Sequence, residues 1–140
     1  MLQYLAAVYP RLGLIAALVL LASCASSKGH GPVDISTFPP QCASTSGMDR
    51  VRCVVDTHKA IIFRVYNRHR SMSRSFSGMV TFRLYIVKAG KVRTVDVVQN
   101  TTGNIGFAEE VADNLRAMNF GELKQDRLVR YPMYFQPVKN

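Results

Sequence analysis

The sequence predicts an α+β domain, in which a small three-stranded antiparallel sheet carries two helices packed on one of its faces. Three observations lead to this prediction. Apolar residues recur at helical spacing in two segments, one starting at Asp49 and the other near Phe107. Apolar and polar residues alternate from residue 79 to 87 and again in Leu128–Phe135, as they do in half-buried strands. Packing the helices against such a sheet gives one core, so we expect a single domain over residues 49–140.

The first predicted helix runs from Asp49, as its N-cap, to Arg70. Its apolar stripe consists of Val51, Val54, Val55, His58, Ile61, Ile62, Val65, Tyr66 and His69. We interpret His58 and His69 as interface histidines whose ring nitrogens find partners. The opposite face is basic, and Arg64, Arg68 and Arg70 are candidates for contact with anionic lipid or lipopolysaccharide. An ordinary solvated face is the alternative.

The strand predicted at 79–87 is followed by a tight turn and a return strand. Lys88 to Lys91 form the turn, in which Gly90 is free to take a positive φ. The return strand covers 92–99. Its valines at 92, 95 and 97 break strict alternation, which predicts a β-bulge.

The second predicted helix has an apolar stripe made of Phe107, Val111, Ala112, Leu115 and Met118. We expect Glu109 and Glu110 in its first turn, where the helix dipole favours acids, and Gly121 at its end. The last strand, Leu128–Phe135, contains Pro132, which lacks an N–H donor. This strand is therefore predicted at an edge of the sheet.

The N-terminus predicts export and lipid attachment. An apolar run of eleven residues, 12–22, follows Arg11 and is shorter than the roughly 20 residues that a membrane span needs. Leu21–Cys24 then matches a bacterial lipobox, so residues 1–23 are predicted as a signal peptide and Cys24 as the lipidated residue. An uncleaved membrane anchor is the alternative. Ala25 follows, where aspartate often retains lipoproteins at the inner membrane, so we expect an outer-membrane lipoprotein that faces the periplasm.

Residues 24–48 are rich in Ser, Gly, Pro and Thr and predict a lipidated, flexible tether. Cys42 and Cys53 remain once Cys24 is lipidated, and the exported compartment is oxidising. A disulfide between them is expected to contribute about 3 kcal/mol by loop entropy. Two free or buried thiols are the alternative, and a zinc site has only three histidines to add, at no recognised ligand spacing.

The net charge of +9, or +8 once Arg11 is removed with the signal peptide, suits anionic partners. Export argues against nucleic acid, and the membrane is one expected partner through the N-terminal lipid. The sequence shows no phosphate loop, nucleophile elbow or readable carboxylate pair. Cys53 and His58 lie five residues apart, a poor helical spacing for a nucleophile and its base. We expect a protein that is not an enzyme, with no cofactor and no metal.

Residues 50–138 resemble the TonB C-terminal domain superfamily, in particular its AgmX/PglI-type periplasmic relatives. The motifs that carry the resemblance are, in chain order, Gly78–Ile86, Gly90–Val92, Phe107 with Glu110, Met118–Phe120 and Tyr131–Phe135. Met118 stands where the family has tryptophan. Energy-transducing members begin with a membrane helix and a long Pro-rich spanner, whereas this chain has a lipobox and a short predicted tether. The resemblance thus implies the fold and a binding role more than energy transduction.

The resemblance also implies how binding would occur, because the family adds a transporter peptide to the edge of its sheet. The candidate binding residues form the last strand: Leu128, Val129, Arg130, Tyr131, Met133 and Phe135. The alternative is that these side chains complete the core and the edge is shielded. The expected partner is an envelope protein, such as an outer-membrane protein.

Overall fold

The computed structural model describes residues 34–72 and 76–137, all within one compact unit. A 3₁₀ turn, Pro40–Cys42, precedes the regular elements. In chain order these are α1 (Gly47–Thr57), α2 (Lys59–Met72), β1 (Gly78–Ile86), β2 (Val92–Asn100), α3 (Ile105–Ala117) and β3 (Arg127–Phe135).

The three strands form one antiparallel sheet in the order β2-β1-β3, which confirms the predicted α+β class and the edge position of β3. β1 buries every second side chain: Val80, Phe82, Leu84 and Ile86 are fully buried. Its pairing with β3 is regular from Gly78↔Phe135 to Ile86↔Arg127. Its pairing with β2 shifts register twice, so the predicted bulge is present.

The segment predicted as one helix forms two helices, α1 and α2, because the helix is interrupted at His58. The His58 N–H is shared between the carbonyls of Val54 and Val55, and Nδ1 of its ring lies 2.9 Å from the Val54 carbonyl oxygen. A carbonyl can only accept, so Nδ1 carries the proton. The ring is buried, and its partner satisfies it as predicted for an interface histidine. The start also differs from the prediction, since Ser46 is the N-cap and Asp49 lies in the first turn.

The part of the predicted tether that the structure describes is packed against the domain. Cys42 is fully buried and forms a disulfide with Cys53 of α1, as predicted. Ile35 and Phe38 pack against the core. The bridge and these side chains thus join the described residues before Gly47 to the domain.

Arg50 fastens this N-terminal segment to the rest of the fold. Its guanidinium donates to the carbonyls of Ala43 (3.0 Å), Thr45 (2.8 Å) and Glu122 (2.7 Å). It also lies over the ring of Phe38, 5.6 Å from the centroid. Charge-assisted donors to three carbonyls make Arg50 a structural residue rather than part of a basic binding face.

α3 begins where Asn104 caps it, accepting a hydrogen bond of 2.9 Å from the N–H of Phe107. It ends at Ala117, four residues before the predicted end. The chain leaves the helix there because the next residues pair with the β1–β2 turn: Lys91 bridges to Asn119, and Phe120 N–H donates to the Gly90 carbonyl (2.8 Å).

The predicted first-turn acids, Glu109 and Glu110, lie in the second turn of α3, since the helix begins at Ile105. Glu110 instead contacts two side chains of α2. One of its carboxylate oxygens lies 2.8 Å from His69 Nε2, and the other pairs with Arg68. The carboxylate therefore joins α2 to α3 rather than capping a helix.

Aromatic rings join α2, α3 and β3 in the core. Tyr66 stacks on Phe135 at 5.6 Å, and Phe107 meets the same ring edge-on at 4.7 Å. The buried Tyr66 hydroxyl donates to the Phe76 carbonyl (2.8 Å), so this polar group has a hydrogen-bond partner within the core.

Candidate functional site

β3 pairs with β1 along one edge, and its other edge is free. The hydrogen bonds of β1 show which backbone groups of β3 face each of these two edges. The Met79 carbonyl accepts from Thr101 N–H and the Val87 N–H donates to the Lys91 carbonyl, both at 2.9 Å. Odd-numbered residues of β1 thus face β2, and even-numbered ones face β3. The register pairs even residues of β1 with odd residues of β3. Because antiparallel pairing alternates, the even-numbered residues of β3 direct their backbone groups to the free edge.

The free edge therefore offers the N–H groups of Leu128, Arg130 and Tyr134, and the carbonyls of these residues and of Pro132. Pro132 pairs with Thr81 in a position where its nitrogen points away from β1. The sheet consequently loses no hydrogen bond to the proline, which explains its place in this strand.

The six side chains predicted to bind a partner differ in exposure: three are buried, Tyr131 is half-buried and two are exposed. Val129, Met133 and Phe135 are buried, so the alternative, that they complete the core, is correct for them. Leu128 and Arg130 have exposed side chains, and their backbone groups point to the free edge. The predicted list is thus corrected for the three buried side chains, because the strand alternates both its side chains and its backbone groups.

A groove of about 390 Å³ runs between the helices and the outer part of β3. Asp56 and Lys59 line it from the junction of α1 and α2, together with Phe63 one turn further along. Tyr131 and Tyr134 line it from β3. The groove lies along the unpaired edge, so a bound strand would have backbone partners on one side and side-chain contacts on the other.

Two aromatic residues of this groove were absent from the predicted site. Tyr134 is 72% exposed and Phe63 is 54% exposed, both high for large apolar rings. The sequence carried a signal for Phe63, since it is an aromatic residue outside the apolar stripe of its helix. Tyr134 precedes the buried Phe135, so alternation alone places its ring on the solvent side.

The groove also holds polar groups of both signs. Burial raises the pKa of the half-buried Tyr131 hydroxyl, and the nearby Asp56 carboxylate raises it further, against an opposing effect of Arg52. The phenol therefore stays protonated at neutral pH and is available as a donor. With Asp56 and Lys59 beside it, the groove suits a peptide with polar as well as apolar side chains.

The three arginines proposed to contact anionic lipid do not act as one set. Arg64 is exposed, but Arg68 is paired with Glu110 and Arg70 is partly buried. A cation that already neutralises a carboxylate adds little to attraction of an anionic surface. Of the three candidates for contact with anionic lipid, Arg64 and Arg70 thus remain.

A second groove, of about 610 Å³, lies between β2 and α3 beside the other edge of the sheet. Its lining includes Val97 and Ile105, which are 38% and 71% exposed, and Asp96 and Asp113. Asp96 pairs with Arg83, and Asp113 pairs with Arg116. Its charges are therefore largely matched within the domain.

Cys24, the predicted lipidation site, lies outside the described residues. Within residues 34–72 and 76–137, no three acidic, histidine or cysteine side chains come together in a way that could hold a metal ion. No helix of that same part of the chain is long and apolar enough to cross a membrane.

The evidence for function comes from the fold and the groove, because comparison with known proteins finds no match. No family model, curated protein or solved structure matches this chain. The resemblance to TonB C-terminal domains accordingly stays a hypothesis that depends on the motifs given above.

Proposed function

We propose that this chain is a periplasm-facing lipoprotein whose domain binds an envelope protein by adding a strand of that partner to β3. The proposal extends the resemblance to TonB C-terminal domains, which bind peptides at a sheet edge. The observation that carries it is the juxtaposition of an unpaired strand edge with an aromatic groove, lined by Phe63 and Tyr134.

Backbone pairing supplies the affinity in this mode, and pockets for alternate side chains supply the selectivity. Three N–H donors of β3 face outward, with a gap at Pro132 where a partner carbonyl finds no donor. The ladder is therefore short. We expect a dissociation constant in the micromolar range, which corresponds to a binding free energy of about −8 kcal/mol.

Proline at position 130 tests the edge. In the lipidated chain, Arg130→Pro removes an outward donor, whereas Arg130→Gln removes the charge and keeps the N–H. We expect the proline variant to retain less than about a tenth of the envelope-protein capture of the glutamine variant, because one edge hydrogen bond and the local ladder are lost. Capture is quantified by mass spectrometry, and unfolding of both variants is followed by circular dichroism.

Val129→Pro serves as an internal control, because its N–H faces β1 within the sheet. It should destabilise the fold itself, by about 3 kcal/mol. Equal capture by Arg130→Pro and Arg130→Gln would reject strand addition. If capture were instead lost when Arg64 and Arg70 are changed to glutamine, the basic surface of α2 would be the binding surface.

Lipid attachment is tested separately. In a bacterium grown with labelled palmitate, the parent chain should incorporate label and Cys24→Ser should not. Label retained by the serine variant would show that the lipid is not on Cys24.

A further inference from the structure

The N-terminal segment enters the domain beside the β1–β2 turn. Phe38 covers Gly121 so closely that a Cβ on this glycine would lie 2.9 Å from the ring. Gly121 in turn lies against Gly90 of the turn, where a Cβ would lie 2.1 Å from the Gly121 carbonyl oxygen. Hydrogen bonds from Ser36 lower the pKa of the Asp34 carboxyl, and the charge of Lys91 lowers it further. The contact of Phe38 with Gly121 thus places the chain entry at this end of the sheet, within reach of the charge of Lys91.

Exposed cations surround the entry point. They are the four residues Lys88, Lys91, Lys124 and Arg127, which we call the hairpin-end cations. They are neighbours because the Leu123 N–H donates to the Lys88 carbonyl (2.7 Å) and Arg127 pairs with Ile86 across the sheet. The ion pairs found among residues 34–72 and 76–137 involve other cations.

The carboxylates of Asp34, Glu122 and Asp126 lie at this end and neutralise only part of that charge, to which the nearby Arg93 also contributes. Asp126 accepts hydrogen bonds from the Lys88 N–H and the Tyr85 hydroxyl, both at 2.7 Å. Asp34 accepts from Ser36 and Thr37 within its own turn. Asp34 and Asp126 therefore accept from neutral donors, and none of the ion pairs among residues 34–72 and 76–137 joins a hairpin-end cation to a carboxylate.

We propose that the hairpin-end cations are the surface by which this domain lies against the anionic headgroups of the membrane that holds its lipid. The inference rests on the proposed lipid anchor at Cys24. Asp34 lies ten positions after Cys24, with nine residues between them. Such a segment reaches at most about 35 Å when fully extended, and about 17 Å as a flexible coil.

A short connection of this kind holds the entry end of the domain near the headgroups, where basic residues gain most from an anionic surface. That attraction falls off within a Debye length, about 8 Å at physiological salt. The lipid itself would hold the chain on the membrane, and a basic patch then determines which end of the domain lies against the anionic surface. This location differs from the face of α2, whose Arg68 is already paired with Glu110.

The test uses fluorophores placed at the two ends of the sheet. Ala89→Cys puts a label in the exposed turn, and Ile105→Cys puts one at the exposed start of α3. Cys42 and Cys53 are in a disulfide and do not react. The lipidated protein, purified from bacterial membranes, is reconstituted in phosphatidylcholine vesicles with or without phosphatidylglycerol, and quenching by spin-labelled lipid is measured.

The label at position 89 should be quenched several times more than the label at 105, only with phosphatidylglycerol and only at low salt. Lys88→Gln with Lys91→Gln should remove this difference, and the matched pair Arg64→Gln with Arg70→Gln should keep it. By cosedimentation of unlipidated protein with the same vesicles, the hairpin pair should lose about twentyfold in affinity, or between about fourfold and fivefold per lysine.

Equal quenching at the two positions, or stronger quenching at 105, would overturn the proposal, as would a twentyfold loss from the α2 pair alone. Failure of the anchor gives a different result. Cys24 of the parent chain would then react with the fluorophore, while cosedimentation would still report whether the hairpin lysines bind the anionic vesicles.

Discussion

The two edges of the sheet differ in how they are closed. β2 departs twice from regular pairing, and just before it Lys91 bridges to Asn119 of the segment after α3. β3 pairs regularly along its whole length, and only Pro132 interrupts its free edge. Unpaired edges invite association with other chains, and bulges and covering segments are the usual protection. The contrast indicates that β2 is protected and that β3 is kept open.

The grooves beside the two edges show the same contrast. Next to β2, the acids Asp96 and Asp113 are paired with arginines of the domain. Next to β3, Phe63 and Tyr134 expose large ring surfaces to solvent. An exposed ring gains from a partner, whereas a matched ion pair gains little from one. This difference is our reason for placing the proposed binding site at β3.

The largest expected effect comes from breaking the closure near β2. Gly90 has φ +81° and its Cβ would lie 2.1 Å from the Gly121 carbonyl oxygen, so Gly90→Ala combines strain with a backbone clash. We expect a loss of about 4 kcal/mol in the free energy of unfolding, measured by denaturant titration. Gly103→Ala is the control: its φ is +72° with nothing within 4 Å, so about 1 kcal/mol is expected. Similar losses from both changes would show that the contact with Gly121 is unimportant.

The next effect concerns the support of α1, which lines the β3 groove. Reduction of the Cys42–Cys53 bridge should lower the free energy of unfolding by about 3 kcal/mol, because a closed loop in the unfolded chain is released. Denaturant titration with and without reductant measures this. The double variant Cys42→Ala with Cys53→Ala should be unaffected by reductant. A parent chain that is equally insensitive would contradict the bridge.

A smaller effect compares the grooves directly. Phe63→Ala and Ile105→Ala each remove an exposed apolar side chain, one beside β3 and the other beside β2. Phe63→Ala should weaken partner capture about tenfold, as the loss of a central aromatic contact does, while Ile105→Ala leaves it unchanged. Both should stay within about 0.5 kcal/mol of the parent in stability. Loss of capture from Ile105→Ala would move the site to the β2 groove.

Local patterns predicted the parts of this fold that local physics determines. The alternation of β1 and the edge position of β3 follow from side-chain spacing and from one proline, and both are confirmed. The break at His58 was missed, since it depends on a ring nitrogen binding a carbonyl in the folded helix. The end of α3 was also missed, because pairing with Gly90 overrides helix propensity there.

The site was only half predictable for a similar reason. Sequence placed the last strand, which is the proposed binding strand, correctly at an edge, but the direction of its backbone groups depends on register with β1. That register assigns Val129 to the ladder and Arg130 to the free edge. Phe38 and Arg50 were missed as packing residues because their partners lie across the fold, at Gly121 and Glu122.

The smallest effect concerns Asp126, which joins the turn before β2 to the start of β3. Hydrogen bonds from the Tyr85 hydroxyl and then from the Lys88 N–H lower the pKa of this carboxyl below its ordinary value of 3.8. Since the folded-state pKa is the lower one, the contribution of Asp126 to stability is complete above about pH 4 and is lost as the pH falls through the folded pKa. Asp126→Asn should therefore flatten the acid side of the stability profile.

Tyr85→Phe separates the two donors in this contact. It keeps the carboxylate but removes the larger cause of its lowered pKa, so the acid side should flatten partly, with the Lys88 N–H still in place. The hydrogen bond to Asp126 also raises the pKa of Tyr85. The contribution of Tyr85 to the free energy of unfolding should therefore be lost as the pH rises through its folded-state pKa. Tyr85→Phe should remove this loss of stability at alkaline pH. Thermal unfolding from pH 2 to 11 measures both sides. An unchanged profile in both variants would show that this contact does not hold β3 to the turn.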